Sequence, residues 1–413
     1  MPGVNELFNS SHLITDQAKK SYAGMLTRLM PGGAAPMFLL SSMLGNSKTA
    51  MQFEHGFYTK TAIFPSFDLT ADILAGTTVF TVADTSELVP GQVHRLEETG
   101  ENVIINSVDS PTQITVGRAV GTVAAAAITV ASDISEAYQV GNAFEEASVR
   151  PVALSVSPDR MTNLTQTFRD TWVVSGSAAA IQNIAGSGDG NVAENRRDCA
   201  MFHAMAIEKA ILFGQKSQGT RNGQPFRTMD GFHNIVSNLA YYPSTFAVPN
   251  VYAAAATTNY DQLEGFLDPV FDQVTDPSGP NQRVLFVGSQ ARKVINGIGR
   301  LHGQYEIVDG QTSFGLQFDT IKISRGTFRM IEHPLFNSNV HWKSMAMAVD
   351  LSTFSLAYLG NRKTRNQEFN ANGDTMPTDN GIDAVGGTLT SELTVEIRNP
   401  PANAIITGLT AAA

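Results

Sequence analysis

One long helix set among strand-like segments constrains this chain most. Asn191 stands in capping position, and Glu194 follows three residues later as its capping-box partner. Cys199, Phe202, Ala206 and Ala210 then follow one helical face, with Met201, Met205 and Leu212 on a neighbouring one. Gly214 follows as a left-handed stop. The spacing predicts a helix over 191–213, which at 1.5 Å per residue is more than about 30 Å long. A rod of that length spans a whole domain, so the other segments must be arranged around it. Its lead-in, Gly186-Ser-Gly-Asp-Gly190, is glycine-rich enough to bend, and Gly186, Gly188 and Gly190 are the hinge candidates.

Ahead of the helix the chain changes character three times. Residues 1–50 read as an arm with short helical pieces, interrupted by Pro31 and Pro36, that has little to bury alone. Residues 51–67 are aromatic and extended, and 151–175 resume an extended course, so the two read as the legs of one long hairpin. Between them, residues 68–150 carry short strands (Thr77–Val82, Val103–Ile105, Gln113–Val116, Ala127–Val130) separated by turn signals such as Pro90-Gly91 and Thr99-Gly100. That spacing predicts a small all-β barrel or sandwich inserted between the legs. After the helix, 215–258 is loop-rich. Residues 259–338 alternate helix and strand as an α/β block, with Pro269 expected to kink its first helix and Ser289 to cap its second. Residues 339–413 are mostly strand around a polar loop, 360–381. The fold class is α+β.

Composition narrows the function. Charged residues are 16% of 413 against about 25% in ordinary soluble domains. Two readings fit equally: a Gly- and Ala-rich enzyme, or a subunit that hides much of its surface against neighbours. The net charge of −10 and the absence of a Lys/Arg cluster argue against a nucleic-acid-binding surface. The densest basic run, Arg362 to Arg365, reads as a solvated turn. A lone cysteine, Cys199, rules out a disulfide within the chain and fits a reducing compartment. Asn163-Leu-Thr then has no meaning as a sequon. No signal peptide is recognisable, and no apolar run reaches the about 20 residues that span a bilayer.

No motif offers chemistry. The P-loop, the Gly-x-Ser-x-Gly elbow and His-Glu-x-x-His are all missing, and the eight histidines never fall at metal-ligand spacing. Gly186-x-Gly188-x-Gly190 precedes a helix but lacks the last glycine of a dinucleotide fingerprint, and Asp189 would repel a phosphate. Cys199 has nothing beside it to form a thiolate and reads as inert packing. The expectation is no catalytic, cofactor or metal site.

Arm, hairpin, long helix, α/β block and closing sheet, in that order, resemble the Hong Kong 97-type capsid fold of tailed phages and herpesviruses. Four stretches are similar to the SU-ten-like major capsid proteins of tailed bacteriophages: Asp68–Asp84, Ile128–Ala143 with Gly141-Asn-Ala-Phe-Glu-Glu146, Thr165-Gln-Thr-Phe-Arg-Asp170, and Leu393-Thr-Val-Glu-Ile-Arg-Asn-Pro400. The resemblance implies an N-terminal arm at 1–50, E-loop legs at 51–67 and 151–175, and a β insertion at 68–150. It further implies a P-domain at 176–258 with its spine helix at 191–213, an A-domain at 259–338, and a returning P-domain sheet with the C-terminus at 339–413. It implies a virion shell protein made in the host bacterial cytoplasm. Its partners would be itself, as hexamers and pentamers, a separate scaffolding protein, a portal and, where one exists, a decoration or cement protein. No membrane is involved, and DNA is met only by non-specific proximity, the acidity of a shell lining letting the genome slide. Phe57, Tyr58, Phe64, Phe168 and Trp172 are the candidates for contact between subunits, since aromatics dominate interfaces; packing within their own hairpin is the equal alternative. A β-rich tail or adhesin protein is the second reading, and an enzyme with an unrecognised α/β site the third.

Overall fold

The computed structural model describes residues 47–60, 62, 64–155, 157–181, 190–243, 246, 248–273, 281–302, 311–313, 316–369 and 383–412. Contacts divide the chain into two compact units, Met1–Thr59 with Arg160–Ala413, and Lys60–Asp159. The expected arm lies almost wholly outside the described residues, as does most of the polar loop.

In the larger unit the long helix runs Gly190–Phe213. Its ends differ from expectation. Gly190 has φ +83° and begins the helix, while the side chain of Asn191 donates to the carbonyl of Ala178 at 2.5 Å instead of capping. Gly214 is not left-handed. A Cβ there would lie 2.6 Å from the carbonyl oxygens of Ala210 and Met229, and one on Gly231 would lie 2.6 Å from the Gly214 nitrogen. The two glycines let the chain return backbone to backbone across the helix end, with the Gly231 N–H donating to the Gly214 carbonyl at 3.0 Å.

Two sheets pack around this helix. The first joins Ser47–Ala50, Phe354–Leu359, Ala384–Ile397 and Gln166–Ser175 in that order, with Arg365–Phe369 also paired to Ala384–Ile397. The second has seven strands in the order 251–253, 404–407, 346–349, 282–287, 327–332, 316–322 and 311–313. Its central strand, Gln282–Val287, is buried on both faces, and the period-2 alternation of a strand splits its side chains between two cores. Val284 and Phe286 join Ile207, Ile211 and Leu212 of the long helix. Leu285 and Val287 face Leu263, Leu267, Val294, Ile295 and Ile298 on helices Tyr260–Leu267 and Ser289–His302. Pro269 ends the first of these in a 3-10 turn, Asp268–Phe271, as a proline without an N–H should.

Two sequence boundaries move. The α/β block expected at 259–338 does not complete its own sheet: Ala346–Val349 and Ala404–Thr407 supply strands beside Gln282–Val287. The long hairpin is short. Glu54–Thr59 pairs with Asp159–Leu164, but Gln166–Ser175 pairs over ten residues with Ala384–Ile397 instead. The turn between them is fixed at buried Thr165, whose N–H donates to the Phe53 carbonyl at 2.7 Å and whose hydroxyl donates to Glu392 at 3.0 Å.

The smaller unit is six antiparallel strands in the order 66–68, 136–142, 92–96, 102–110, 113–117 and 79–81. The two outer strands meet through the Leu69–Val82 bridge, the Thr70 N–H to the Thr81 carbonyl at 2.9 Å and the Ala83 N–H to the Asp68 carbonyl at 3.0 Å. The sheet therefore closes on itself as a barrel, which removes the exposed edges that invite aggregation. Ala127–Val130 forms no strand; Ile128 makes a single bridge to Ile73. The interior is mostly apolar (Phe67, Phe80, Leu96, Val103, Ile105, Ile114), and Thr85, Gln92, His94 and Glu101 are its buried polar residues among those described. Glu101 and Arg118 form a buried bidentate pair at 2.7 and 2.6 Å. His94 is fully buried, its ring 5.1 Å from that of Phe67.

Burial pushes His94 down to about 4, against a weaker opposing hydrogen bond with the Ala137 backbone. The unfolded chain then takes up this proton first as pH falls, so barrel stability is complete above about 6.5 and declines as pH drops to about 4. The loss should be about 3 kcal/mol. Hydrogen exchange of strands 92–96 and 102–110 across that window should show it, and His94→Leu should flatten the profile.

Candidate functional site

The chemistry-bearing side chains of the larger unit converge on strand Ala384–Ile397. Leu393, Val395 and Ile397 point into the core. The opposite face therefore carries Glu392 and Glu396, both buried. A buried carboxylate must be paired. Glu396 is met by Lys48 Nζ at 2.7 Å, His55 Nε2 at 2.7 Å and Arg398 Nε at 3.0 Å. Glu392 is met by Arg362 Nε at 2.9 Å and the Thr165 hydroxyl. Burial alone would raise the Glu396 carboxyl, but the hydrogen bonds from His55 and Lys48 and their charge hold it at about 2. Lys48 lies on strand Ser47–Ala50 and His55 on Glu54–Thr59, so one carboxylate clasps both incoming strands to the central sheet.

A second knot ties the long helix to the same sheet. His203 Nδ1 lies 2.6 Å from Asp170 and its Nε2 2.8 Å from the Ser391 hydroxyl, which donates to Thr364 at 2.9 Å. One turn further along, Glu208 and His333 form a wholly buried pair at 2.9 Å. A third knot centres on buried Asp230. Its carboxylate accepts from the Lys216 N–H, the Asn234 amide and the Tyr241 hydroxyl. Burial, then the bond to Asp230, pushes the Tyr241 hydroxyl well above its usual range. Asn163, also buried, donates to the carbonyls of Asp230 and Val395 at 3.0 and 2.8 Å and accepts from the Asp230 N–H. Its place in a sequon is thus incidental. Cys199 packs with Trp172 and Leu389, and burial, then the charge of Asp170, raises its thiol.

These are positioning contacts. They brace strands against a helix, and the Asp230 knot also borders an open polar cleft lined by Arg160, Thr162, Lys216, Asn234 and Tyr241. They also coincide with the sequence stretches singled out above: Thr165, Phe168 and Asp170 in one, Glu396 and Arg398 in another.

The family model of the SU10 major capsid protein matches residues 5–410. The chain belongs to that family. Its role is that of a phage capsid subunit. The major capsid protein of Pseudomonas phage PaMx41 is 35% identical over 411 residues, covering 98% of this chain and 95% of that one. Among solved structures, the capsid of a native GTA particle aligns over 98% of each chain at 8% identity with a TM-score of 0.45. A chain of Mycobacterium phage Bobi aligns over 97% of this chain and 98% of its own at 11% identity and 0.41.

The capsid subunit separates its five aromatic contact candidates. Phe57, Phe168 and Trp172 are buried within the chain, the first two in the main core and Trp172 against Gly387 and Cys199. Tyr58 and Phe64 are 65% and 81% exposed and free to meet a neighbour. Of the hinge candidates, Gly190 holds the left-handed φ that glycine tolerates; Gly186 and Gly188 lie outside the described residues. Sequence reading missed Lys48, His55 and Glu396. The signal was a glutamate on the polar side of the alternation Leu393, Val395, Ile397, in a strand whose other face is covered as well.

Because the Glu396 carboxyl is held below its unfolded range, its contribution is complete above about 4.5 and is lost as pH falls toward about 2. Glu396→Gln should cost about 2–3 kcal/mol at neutral pH, moderated by the partial exposure of Lys48, and should remove that acid step. Thermal melts of both proteins from pH 7 to 2 provide the measurement.

Proposed function

We propose that this capsid subunit self-assembles, as hexamers and pentamers, into a closed icosahedral head shell around double-stranded phage DNA, and that it catalyses no reaction. The match to a capsid family from residue 5 to 410 carries the reading. Support comes from large apolar side chains that the folded chain leaves in water, among them Tyr58, Phe64 and Val340. Singly such residues are ordinary, but in a chain with 16% charge they fit surfaces that neighbours cover.

On this reading Glu54–Thr59 and Asp159–Leu164 are the paired base of the E-loop, Lys60–Asp159 is its insertion, and Gly190–Phe213 is the spine helix. The clasp at Glu396 holds the base of the loop so that it acts as one lever when copies meet. The glycines at 186, 188 and 190 are its hinge, to be tested by comparing hydrogen exchange of that segment in procapsid and expanded shells; equal exchange in both argues against it. A separate scaffolding protein, a portal and, where present, a decoration protein complete the partners. The chain is made in the host cytoplasm, and among the described residues no helix is long and apolar enough to cross a membrane.

Negative-stain microscopy of the expressed chain, with and without scaffold, should show closed shells; soluble monomers at every concentration would sink the reading. Tyr58→Ser and Phe64→Ser should leave the melting temperature nearly unchanged, since both side chains are already in water. Each should raise the concentration needed for assembly about tenfold. Phe168→Ser, by contrast, should unfold the subunit before assembly can be measured.

A further inference from the structure

The negative charge of the chain is almost wholly confined to the inserted barrel. Residues 60–159 hold 13 Asp and Glu against 4 Lys and Arg, a net charge of −9; the remainder holds 25 against 24, a net charge of −1. One of the barrel's four cations, Arg118, is consumed internally by Glu101. Such a surface repels nucleic acid, and in a shell it repels the same unit on neighbouring copies.

The same unit carries an open apolar cleft of about 730 Å³, walled by Pro90, Ile104, Phe144, Val149 and Val152 and flanked by Glu145 and Arg150. Its floor is specified by backbone. Gly91 has φ +93°, and a Cβ there would lie 2.3 Å from the Phe144 ring, so only glycine leaves that ring its seat. Its rim is held in an unfavourable conformation: Ala147 has φ +60°, which costs a non-glycine residue about 1–2 kcal/mol. Every residue from 141 to 155 is exposed, Val149 at 89%, although four of these side chains are large and apolar. An apolar rim left in water, with a strained backbone at Ala147, is the form of an interaction surface.

Resting on the shell reading, we propose that this cleft docks an extended, lysine- or arginine-rich segment of a separate protein. Its apolar side chains seat against Phe144, Val149 and Val152, and its cations face the acidic barrel. Charge complementarity selects the occupant: another barrel would bring −9 and another copy's larger unit −1, so neither supplies the missing positive charge.

The test uses assembled particles of the full chain and a fluorescein-labelled peptide of alternating lysine and valine, read by anisotropy at low and high salt. Binding is expected at low salt. It should weaken about tenfold or more in the double variant Val149→Asp/Val152→Asp and in Glu145→Lys/Glu146→Lys. A glutamate–valine peptide should not bind, and a lysine–serine peptide should bind at least about tenfold more weakly. Equal binding of the lysine–valine and lysine–serine peptides, or no loss in the Val149→Asp/Val152→Asp particles, would mean simple ion exchange and overturns the proposal, as does absence of binding. If no particles form, the shell reading fails separately, and the same titration on the soluble chain still decides the cleft.

Discussion

Strand Ala384–Ile397 is hydrogen-bonded to three others, and its two faces obey opposite rules. One face feeds Leu393, Val395 and Ile397 into the core; the other holds Glu392 and Glu396 out of water. The second face governs the larger unit. Two carboxylates placed there cost several kcal/mol each unless cations reach them. The partners are the cations Lys48, Arg362 and Arg398 and the imidazole of His55, drawn from both ends of the chain. The strand cannot be buried until chain from both ends has arrived, so the pairing enforces one topology as much as it adds stability.

The long helix is held by the same logic. Its apolar residues are spread around the rod and would tolerate rotation or sliding against the sheet. His203 between Asp170 and Ser391, and Glu208 against His333, remove that freedom, because a slip of one residue would strand a buried polar group without its partner. Buried polar register marks fix a rod against sliding where apolar packing alone does not.

Periodic and punctuated features were legible in the sequence. The position of the long helix and the separate β unit follow from helical spacing and turn residues, but the buried face of the helix does not: Phe202 and Ala206 are exposed, while Cys199, His203, Ile207 and Ile211 are buried. Pairing between distant segments was not legible. Gln166–Ser175 looked like a hairpin leg because it follows an extended run, but only the position of Thr165 against Phe53 and Glu392 sends it to Ala384–Ile397. Gly214 looked like a helix stop by its place after Phe213; its need for a bare α-carbon comes from the carbonyls of Ala210 and of Met229, the latter fifteen residues on. The aromatics at 57 and 58 are adjacent and chemically alike, yet a strand sends one inward and the next outward, and only the register says which.

The barrel and the larger unit also divide the charge of the chain, and that division has a physical consequence for assembly. The larger unit, nearly neutral, can approach copies of itself at short range without a long-range electrostatic penalty, so apolar and main-chain contacts decide the geometry. The barrel, closed on itself with its own core, needs no neighbour to fold and can carry charge that would be costly at a subunit contact. Screening lengths near 8–10 Å at ordinary salt confine its repulsion to units that come close. Wherever two such barrels come within that range, the repulsion opposes their contact.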